Sequence, residues 1–353
     1  MKENKKHIGL VLPAIPGYSE TFFYSKINGL LEHGHIVKLF INQNNKIGYP
    51  ENWKVYFQPQ VNKPNVLLIP KMAFRIIFTF LLRPSNIIRF WRLEKKDQTP
   101  LKKRIEKLYI NSHILVHRLD WLHFGFATMA IRRENVAKAI EAKMAISLRG
   151  HDINVFPLKQ TGCYNKVWKK IDKVHSISDN LYKKALALGL PGQIPWKKIT
   201  PAIDIERFKH HNNSFAQNNP LKILTIGRLT WIKGYEYALN AMKILKEKGF
   251  PFQYTILGKG EDWERLLFAR YQLGLEQEVT FLGKINHQEI PEIMQNHDIY
   301  LQPSVEEGFC NAVLEAQAAG MLCVVTDAEG LSENVLHEQT GWVVPKRNPE
   351  ALA

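Results

Sequence analysis

The sequence predicts an α/β protein with two Rossmann-like, doubly wound domains that face each other across a cleft. Short β-branched runs alternate with amphipathic helical stretches, which is the pattern of βαβ units and parallel sheets. The chain has 353 residues, of which 45% are hydrophobic, more than one ordinary core accommodates. A polar run over residues 206–220 reads as a linker. We therefore place the two domains at residues 1–205 and 221–353.

The second half of the chain shows the clearer alternation. Its predicted elements are strand Leu221–Ile226, helix Tyr235–Lys248, strand Phe252–Leu257, helix Asp262–Leu273, strand Val279–Leu282, helix Gln288–Asn296, strand Ile299–Gln302, helix Asn311–Ala319 and strand Leu322–Val325. The first half has a weaker pattern. Its predicted elements are strand Ile8–Leu12, helix Glu20–His33, strand Ile36–Ile41, a strand near Ala145–Leu148, strand Lys173–Ile177 and a helix capped by Ser178.

Cysteine, histidine and apolar patterns exclude several classes of protein. Cys163, Cys310 and Cys323 are far apart in the sequence, which predicts neither a disulfide framework nor a zinc site and suits a reducing cytoplasm. The longest apolar stretch, Met72–Leu82, is too short to span a bilayer. We expect no metal ligation from the scattered histidines, which are interpreted as structural or exposed: His113, His117, His175, His210 and His211.

The formal net charge is +15, and much of the excess lies between Lys71 and Lys107. Large apolar residues alternate with these charges, as in amphipathic helices. Three interpretations stay open for residues 71–107. The apolar residues face the core with solvated charges opposite, the stretch contacts an anionic membrane surface, or it binds nucleic acid. No nucleic-acid motif accompanies the charge, so we expect no nucleic-acid partner.

A carboxylate-bearing turn leads into the helix that follows strand Ile299–Gln302. Glu307 stands at the turn, and Glu315 lies in the helix among apolar neighbours, where a buried carboxylate requires hydrogen-bond donors. A ribose diol would supply two such donors to Glu315, and Glu307 would meet the sugar end of the same ligand. An ordinary ion pair with Lys or Arg is the alternative for Glu315. Backbone N–H groups at the helix start are predicted to face this ligand, at Gly308, Phe309, Cys310 and Asn311.

A second loop carries two cations after strand Leu221–Ile226. Gly227 and Gly234 let this loop turn tightly and bring Arg228 and Lys233 toward one point, which suits a diphosphate. At roughly 1.5–3 kcal/mol for each charge-assisted hydrogen bond, the two cations could stabilise a leaving diphosphate by about 3–6 kcal/mol. The chain has no Asp-x-Asp pair, so we expect neither a metal nor another cofactor. Gly258 and Gly260 are interpreted as a turn at the donor site, since a third fingerprint glycine is absent.

These motifs together resemble a family 4 glycosyltransferase of the retaining GT-B type, as found in colanic-acid and exopolysaccharide biosynthesis. The resemblance rests on the Glu307 and Glu315 spacing and on Arg228 and Lys233. It implies that the second domain binds a nucleotide-sugar donor and that the first binds the acceptor. It further implies transfer of a hexose from a UDP- or GDP-sugar to a polysaccharide, a lipopolysaccharide or a lipid-linked oligosaccharide, by a cytoplasmic enzyme at the inner membrane face.

The first domain carries weaker motifs of the same family. Residues 120–125 resemble its His-Phe-Gly motif, which makes His123 a candidate catalytic residue. Residues 16–21 resemble its phosphate and acceptor loop, with candidates Gly17, Tyr18, Ser19 and Glu20. Many relatives have His where Arg149 stands, and we expect Arg149 or nearby His151 to contact phosphate or sugar. The chain also stops at Ala353 as a helix begins, whereas the fold usually closes with a long helix.

Two other functions stay open. A sugar-nucleotide 2-epimerase of the same fold would need no acceptor, although the glutamate spacing argues against it. A catalytically silent scaffold would use the basic residues 71–107 to bind a membrane or nucleic acid, and it would bind neither UDP nor GDP.

Overall fold

The computed structural model describes residues 5–17, 21–43, 48–60, 68–208 and 220–353. The chain divides into two compact units, Met1–Ile199 and Thr200–Ala353. This division comes before the predicted domain end at residue 205, because the 3₁₀ helix Ile205–Phe208 buries Phe208 in the core of the second unit. Residues 209–219 of the predicted linker, which include His210 and His211, lie outside the described residues.

The first unit contains a parallel sheet. Its strands are β1 (His7–Leu12), β2 (Ile36–Ile41), β3 (Lys54–Phe57), β4 (Trp121–Phe124), β5 (Lys143–Leu148), β6 (Lys173–Ser176) and β7 (Trp196–Lys198). They lie in the order β3-β2-β1-β4-β5-β6-β7, and the described pairings are all parallel. From β1 the chain adds β2 and β3 on one side and then β4 to β7 on the other. The boundary between β1 and β4 is therefore a switch point, the place at which such sheets bind ligands.

Helices connect most of these strands. They are α1 (Thr21–Glu32), α2 (Leu68–Leu82), α3 (Pro84–Lys96), α4 (Leu101–Leu115), α5 (Val136–Ala139), α6 (Gly150–Asn154), α7 (Phe156–Lys159), α8 (Asn165–Trp168) and α9 (Asp179–Ala187), with a 3₁₀ helix at Ala127–Ala130. Ser178 caps α9 as predicted, since its hydroxyl accepts the Leu181 N–H at 3.3 Å.

The second unit repeats this design. Its strands are β8 (Leu221–Ile226), β9 (Phe252–Leu257), β10 (Val279–Gly283), β11 (Ile299–Gln302), β12 (Leu322–Thr326) and β13 (Trp342–Val344). Its helices are α10 (Tyr235–Glu247), α11 (Trp263–Gln272), α12 (Ile290–Gln295), α13 (Asn311–Ala318) and α14 (Pro349–Leu352), with a 3₁₀ helix at Trp231–Lys233. The order β10-β9-β8-β11-β12-β13 places the switch point between β8 and β11.

The second sheet is buried on both faces, as parallel sheets are. Ile223 and Leu224, which are consecutive in β8, belong to two different apolar clusters because successive strand residues point to opposite faces. Tyr300 and Leu301 of β11 are divided in the same way. This double burial explains why the central strands read as continuous apolar runs in the sequence.

Across the described residues, the helices all fall short of the length and apolar character that a bilayer span requires.

Candidate active site

The candidate site of the second unit lies at the switch point of its sheet. The loop Gly227–Gly234 follows β8, and the turn that carries Glu307 follows the neighbouring strand β11. The carbonyl oxygen of Ile232 joins the two loops by accepting the N–H groups of Val305 at 2.9 Å and Glu306 at 3.3 Å. Residues distant in the sequence therefore meet at one sheet edge.

Tight backbone packing around glycines shapes the first of these loops. A Cβ at position 258 would lie 1.8 Å from the Gly227 carbonyl oxygen, and one at position 260 would lie 2.1 Å from the Leu229 carbonyl oxygen. Gly234 has a φ of 66°, and a Cβ there would lie 2.1 Å from the Pro303 carbonyl oxygen. Gly258 and Gly260 thus allow their backbone to pack directly against this loop, where a residue with a Cβ would clash.

Lys233 and Glu307 form an ion pair at this edge. The Lys233 Nζ lies 2.5 Å from Glu307 Oε2, and each side chain is only 15% exposed. Burial alone would lower the pKa of Lys233, but the Glu307 carboxylate outweighs it and holds this pKa above its usual value. The ammonium therefore stays charged throughout the neutral range. Arg228, in the same loop, is exposed.

A hydrogen-bonded row of polar side chains lies behind Glu307. Ser304 Oγ donates to Glu307 Oε2 at 3.5 Å and accepts from Gln302 Nε2 at 2.8 Å. The Tyr300 hydroxyl donates to Gln302 Oε1 at 2.9 Å. Because Tyr300, Gln302 and Ser304 are buried, this row orients the glutamate from within the core.

The start of α13 differs in one respect from the sequence prediction. The Cys310 N–H donates to Asn334 Oδ1 at 3.1 Å, so the prediction that it faces a ligand is wrong. Asn334 also donates to the Cys310 carbonyl at 3.2 Å, so its side chain bonds both backbone groups of Cys310. Gly308 is buried, and Phe309 and Asn311 are half-buried at the same turn. Burial raises the pKa of the Cys310 thiol to about 11, so this thiol is protonated at neutral pH.

Glu315 lies in α13 and is 7% exposed. His287, from the segment between β10 and α12, is its partner: His287 Nε2 lies 3.3 Å from Glu315 Oε1. The sequence suggested a Lys or Arg as the ordinary partner, and the structure places an imidazole there instead. One of the hydrogen bonds that a buried carboxylate requires is thus supplied by the protein.

In the first unit, His123 belongs to a hydrogen-bonded chain that crosses three neighbouring strands. His123 Nε2 lies 2.9 Å from Ser147 Oγ, which lies 2.9 Å from His175 Nδ1. His175 Nε2 in turn lies 2.9 Å from the Ile199 carbonyl oxygen. A carbonyl only accepts, so the His175 Nε2 carries a proton and the Ser147 hydroxyl donates to its Nδ1. His123 Nε2 is then the donor to Ser147.

Burial lowers the pKa values of the histidines in this hydrogen-bonded row and of Lys26 beside it. Burial, and then the charge of Lys26, holds the pKa of His123 well below its usual value, and the same causes lower that of His175 to about 4. Burial, and then the charge of Arg149, lowers the pKa of Lys26 to about 7, and its Nζ lies 3.3 Å from His123 Nε2. Both imidazoles are therefore neutral at pH 7.

The other sequence candidates of the first unit occupy varied positions. The Arg149 guanidinium lies 3.8 Å above the Phe22 ring, and its Nε donates to the Gly125 carbonyl at 3.2 Å. His151 is exposed, and Gly17 is half-buried after β1. Tyr18, Ser19 and Glu20 lie outside the described residues.

The basic stretch 71–107 forms parts of α2, α3 and α4. The interpretation with core-facing apolar residues holds for Ile87 and Phe90 of α3, which are buried. It is wrong for most large apolar side chains of α2, which are exposed, whereas Met72 and Ile76 are half-buried. Seven apolar side chains of α2 are 44–75% exposed: Ile69, Phe74, Ile77, Phe78, Phe80, Leu81 and Leu82. Lys107 does not add to the basic surface, because it is buried between Glu94 and Glu134 at 3.1 and 2.9 Å.

Residues 206–353 match the family of glycosyl transferases group 1. This part of the chain is a group 1 glycosyl transferase domain. The chain is similar to the amylovoran biosynthesis glycosyltransferase AmsK of Erwinia amylovora, with 30% identity over 243 residues that make up 66% of this chain and 58% of that protein. It is 32% identical over 245 residues to the putative colanic acid biosynthesis glycosyltransferase WcaL of Escherichia coli, covering 65% and 58%. The chain thus spans less than two thirds of the length of these relatives.

Solved structures show the same fold. The chain superposes on Anabaena Alr3699/HepE in complex with UDP with a TM-score of 0.71 at 15% identity, covering 98% of this chain and 87% of that one. A sucrose-phosphate synthase from Thermosynechococcus elongatus gives 0.71 at 16% identity, covering 99% and 88%. These likenesses show that the group 1 domain is part of a GT-B fold. The predicted fold class is thereby confirmed, and the predicted glycosyltransferase family is supported by the match of residues 206–353 and by the likeness to AmsK and WcaL.

Several residues of the two sites were not singled out as site residues from the sequence. Ser147 meets His123 through strand pairing, His175 follows Ser147 on the next strand, and Lys26 reaches His123 from α1. His287 and Asn334 reach α13 from loops. No spacing in the sequence indicates these contacts.

Proposed function

We propose that the protein is a retaining glycosyltransferase. It would move a hexose from a UDP- or GDP-sugar to a surface polysaccharide, a lipopolysaccharide or a lipid-linked oligosaccharide. The main support is that Lys233 and Glu307 meet at the ends of two neighbouring strands while buried Glu315 lies in the helix that follows. The names of the relatives, which refer to amylovoran and colanic acid biosynthesis, agree with this class of acceptor.

In this proposal, the charged groups of the candidate site bind different parts of the donor. Glu315 accepts the ribose hydroxyls, and Glu307 contacts the transferred sugar. Lys233 and Arg228 neutralise the diphosphate, and charge-assisted hydrogen bonds of this kind contribute roughly 1.5–3 kcal/mol each. They supply charge stabilisation of the kind that a metal gives elsewhere, so we propose that transfer is independent of metal.

The proposed reaction proceeds on one face of the sugar. The bond from the anomeric carbon to the diphosphate oxygen breaks while the acceptor hydroxyl forms its bond on the same side. The departing phosphate oxygen takes the hydroxyl proton, so no separate base is needed. Lys233 stabilises the charge that develops on the leaving group. Retention of anomeric configuration, read from the product by NMR, tests this geometry, and an inverted product would contradict it.

The donor proposal is tested by nucleotide binding. Glu315→Gln is expected to raise the Kd of the preferred nucleotide about tenfold or more, because the amide offers one acceptor in place of two charged oxygens. A thermal-shift screen of UDP, GDP, ADP and their sugar conjugates first identifies the base, since ligand at a hundred times its Kd stabilises the fold by about 2.7 kcal/mol.

Each possible result of that screen has a clear meaning. Binding of UDP or GDP that Glu315→Gln weakens supports the proposal, and chelator-resistant transfer supports the metal-free part of it. Binding of neither nucleotide would favour the silent scaffold instead. Exchange between UDP-N-acetylglucosamine isomers without an acceptor would favour the epimerase.

We also propose that α2 attaches the enzyme to an anionic membrane surface, where lipid-linked acceptors lie. Phe74, Phe78 and Leu81 lie on one face of α2 because their spacing is four and three residues. The Phe74 and Phe78 rings stack with centroids 6.4 Å apart, and the three side chains are 46–74% exposed. Such an apolar helix face belongs in the interface of a bilayer.

Charge identifies anionic lipid as the partner. Exposed basic side chains lie on α2 and on the two helices that follow it in the sequence: Lys71 on α2, Arg92, Lys95 and Lys96 on α3, and Lys102 and Lys103 on α4. A juxtamembrane Lys or Arg adds about 1 kcal/mol of attraction to anionic headgroups. A protein partner would leave most of this positive charge uncompensated unless it were strongly acidic.

Vesicle sedimentation tests this attachment. The double variant Phe74→Ser/Leu81→Ser is expected to bind phosphatidylglycerol-containing vesicles at least about tenfold more weakly, because each lost side chain removes about 1.5 kcal/mol of apolar transfer. Phe268→Ser/Tyr271→Ser is the matched control, since these residues are 59% and 67% exposed on α11 of the other unit. Equal sedimentation with phosphatidylcholine alone would contradict the role of charge, and an unaffected double variant would contradict that of α2.

A further inference from the structure

His287 lies between Glu315 and a second charged residue, Arg207. Its Nε2 is 3.3 Å from Glu315 Oε1, and its Nδ1 is 3.2 Å from Arg207 Nη2. The same Nη2 donates to the His287 carbonyl oxygen at 3.2 Å. The three side chains thus form a row that begins at exposed Arg207 and ends at the buried carboxylate in α13.

The chemistry of the row determines where the imidazole carries its proton. A guanidinium has donors only, so the His287 nitrogen that faces Arg207 accepts and has no proton in the neutral ring. The proton of the neutral imidazole is then on Nε2, which faces Glu315. In its neutral form His287 therefore donates to Glu315, and Arg207 selects the tautomer that allows it.

The row is anchored in the core of the second unit. Phe208, next to Arg207, is buried, and its ring meets that of His287 edge to face with centroids 6.4 Å apart. The 3₁₀ helix Ile205–Phe208 also packs against α13, the helix that carries Glu315. Arg207 and Glu315 thus belong to one packed region, with His287 between them.

We infer that His287 is a positioning residue for Glu315, and that Arg207 acts through it. His287 holds Oε1 of the carboxylate so that Oε2 is presented to the donor's ribose. This inference rests on the proposed function and adds to it how the nucleotide-binding carboxylate is oriented. Because the ribose lies away from the bond that breaks, the row should affect donor affinity and leave turnover unchanged.

Two replacements of His287 separate positioning from packing. His287→Leu fills the space without hydrogen bonds and is expected to raise the Kd for the nucleotide about tenfold, with kcat within about twofold. His287→Gln is expected to restore most of the affinity, because its amide oxygen can accept from Arg207 while its amide nitrogen donates to Glu315. A merely structural role predicts no such rescue by Gln.

Arg207 gives an independent test at an exposed position. Arg207→Gln is expected to raise the Kd for UDP or GDP about threefold, with no change in thermal stability without nucleotide. NMR of the 15N-labelled histidine should show His287 with its proton on Nε2 in the parent protein, and a mixture of tautomers in Arg207→Gln. A proton on Nδ1 in the parent protein would overturn the inference.

A double-variant cycle distinguishes failure of this inference from failure of the proposed function. In the Glu315→Ala background, His287→Leu is expected to cause no further loss of affinity, because its target is gone. If Glu315→Ala itself leaves nucleotide binding unchanged, the proposed function fails. If Glu315→Ala weakens binding but His287→Leu does not, or if their losses simply add, only the inference about His287 fails.

Discussion

Lys233→Ala is expected to lower kcat about 10²–10³-fold, the loss that follows removal of one preorganised donor from a developing negative charge. The Kd of the nucleotide should change less, because the diphosphate carries more negative charge when it leaves than when it is bound as donor. Since the Glu307 carboxylate holds the pKa of Lys233 above its usual value, its ammonium is fully charged in the neutral range. The effect should therefore be constant from pH 6 to about pH 9 and show no titration there.

Because Lys233 is ion-paired with Glu307, the controls for this experiment are another ion-paired lysine and a variant that keeps the charge. Lys346→Ala removes another ion-paired lysine of the same unit, 3.1 Å from Glu329, and should leave kcat within about twofold. Lys233→Arg keeps the charge and should retain part of the activity. The stability linked to the raised pKa of Lys233 is present throughout the neutral range and is lost only as the pH rises through that pKa. Equal losses from Lys233→Ala and Lys346→Ala would contradict a role in catalysis.

Gly234→Ala is expected to lower the free energy of unfolding by about 3 kcal/mol or more and to abolish donor binding. Part of the loss is backbone strain, because a left-handed φ costs a residue with a Cβ roughly 1–2 kcal/mol. The larger part comes from the Pro303 carbonyl oxygen, 2.1 Å from the new methyl group. Relieving that contact would separate the loop after β8 from the turn after β11. Chemical denaturation and nucleotide titration measure the two effects.

Gly274→Ala is the matched control for the strain. Gly274 has a φ of 63°, against 66° at Gly234, and a Cβ there would meet no heavy atom within 4 Å. The expected loss is therefore only the roughly 1–2 kcal/mol of the left-handed conformation, with donor binding intact. Similar losses in both variants would mean that the contact with Pro303 is unimportant.

The second sheet was predictable because its strands are buried on both faces and the helices that pack on it are buried on one face. Strands Leu221–Ile226, Phe252–Leu257 and Ile299–Gln302 have the bounds that the sequence predicts. The short strands β7 and β13 were missed, because three residues with exposed or half-buried side chains give no periodic pattern. Helix α2 was recognised as amphipathic, but periodicity alone does not indicate whether an apolar face meets the core or another surface.

The sequence indicated the charged residues of the candidate site but not their partners. Glu307 and Lys233 lie in the loops that follow strands, and Glu315 lies in the helix after one of these loops, where ligands bind in this kind of sheet. Contacts such as His287 with Glu315 or Asn334 with Cys310 depend on how loops pack, and no spacing rule describes them. The same limit explains why the Cys310 N–H was expected to face a ligand.

The Lys233–Glu307 pair joins residues that are 74 positions apart in the chain. It forms only when β8 and β11 become neighbours, and the chain between them folds into β9, β10 and three helices. Closing so long a loop is entropically unfavourable and makes folding slow. The donor site should thus be completed late during refolding, after the local helices. A partly folded chain would therefore have native helices but no donor site.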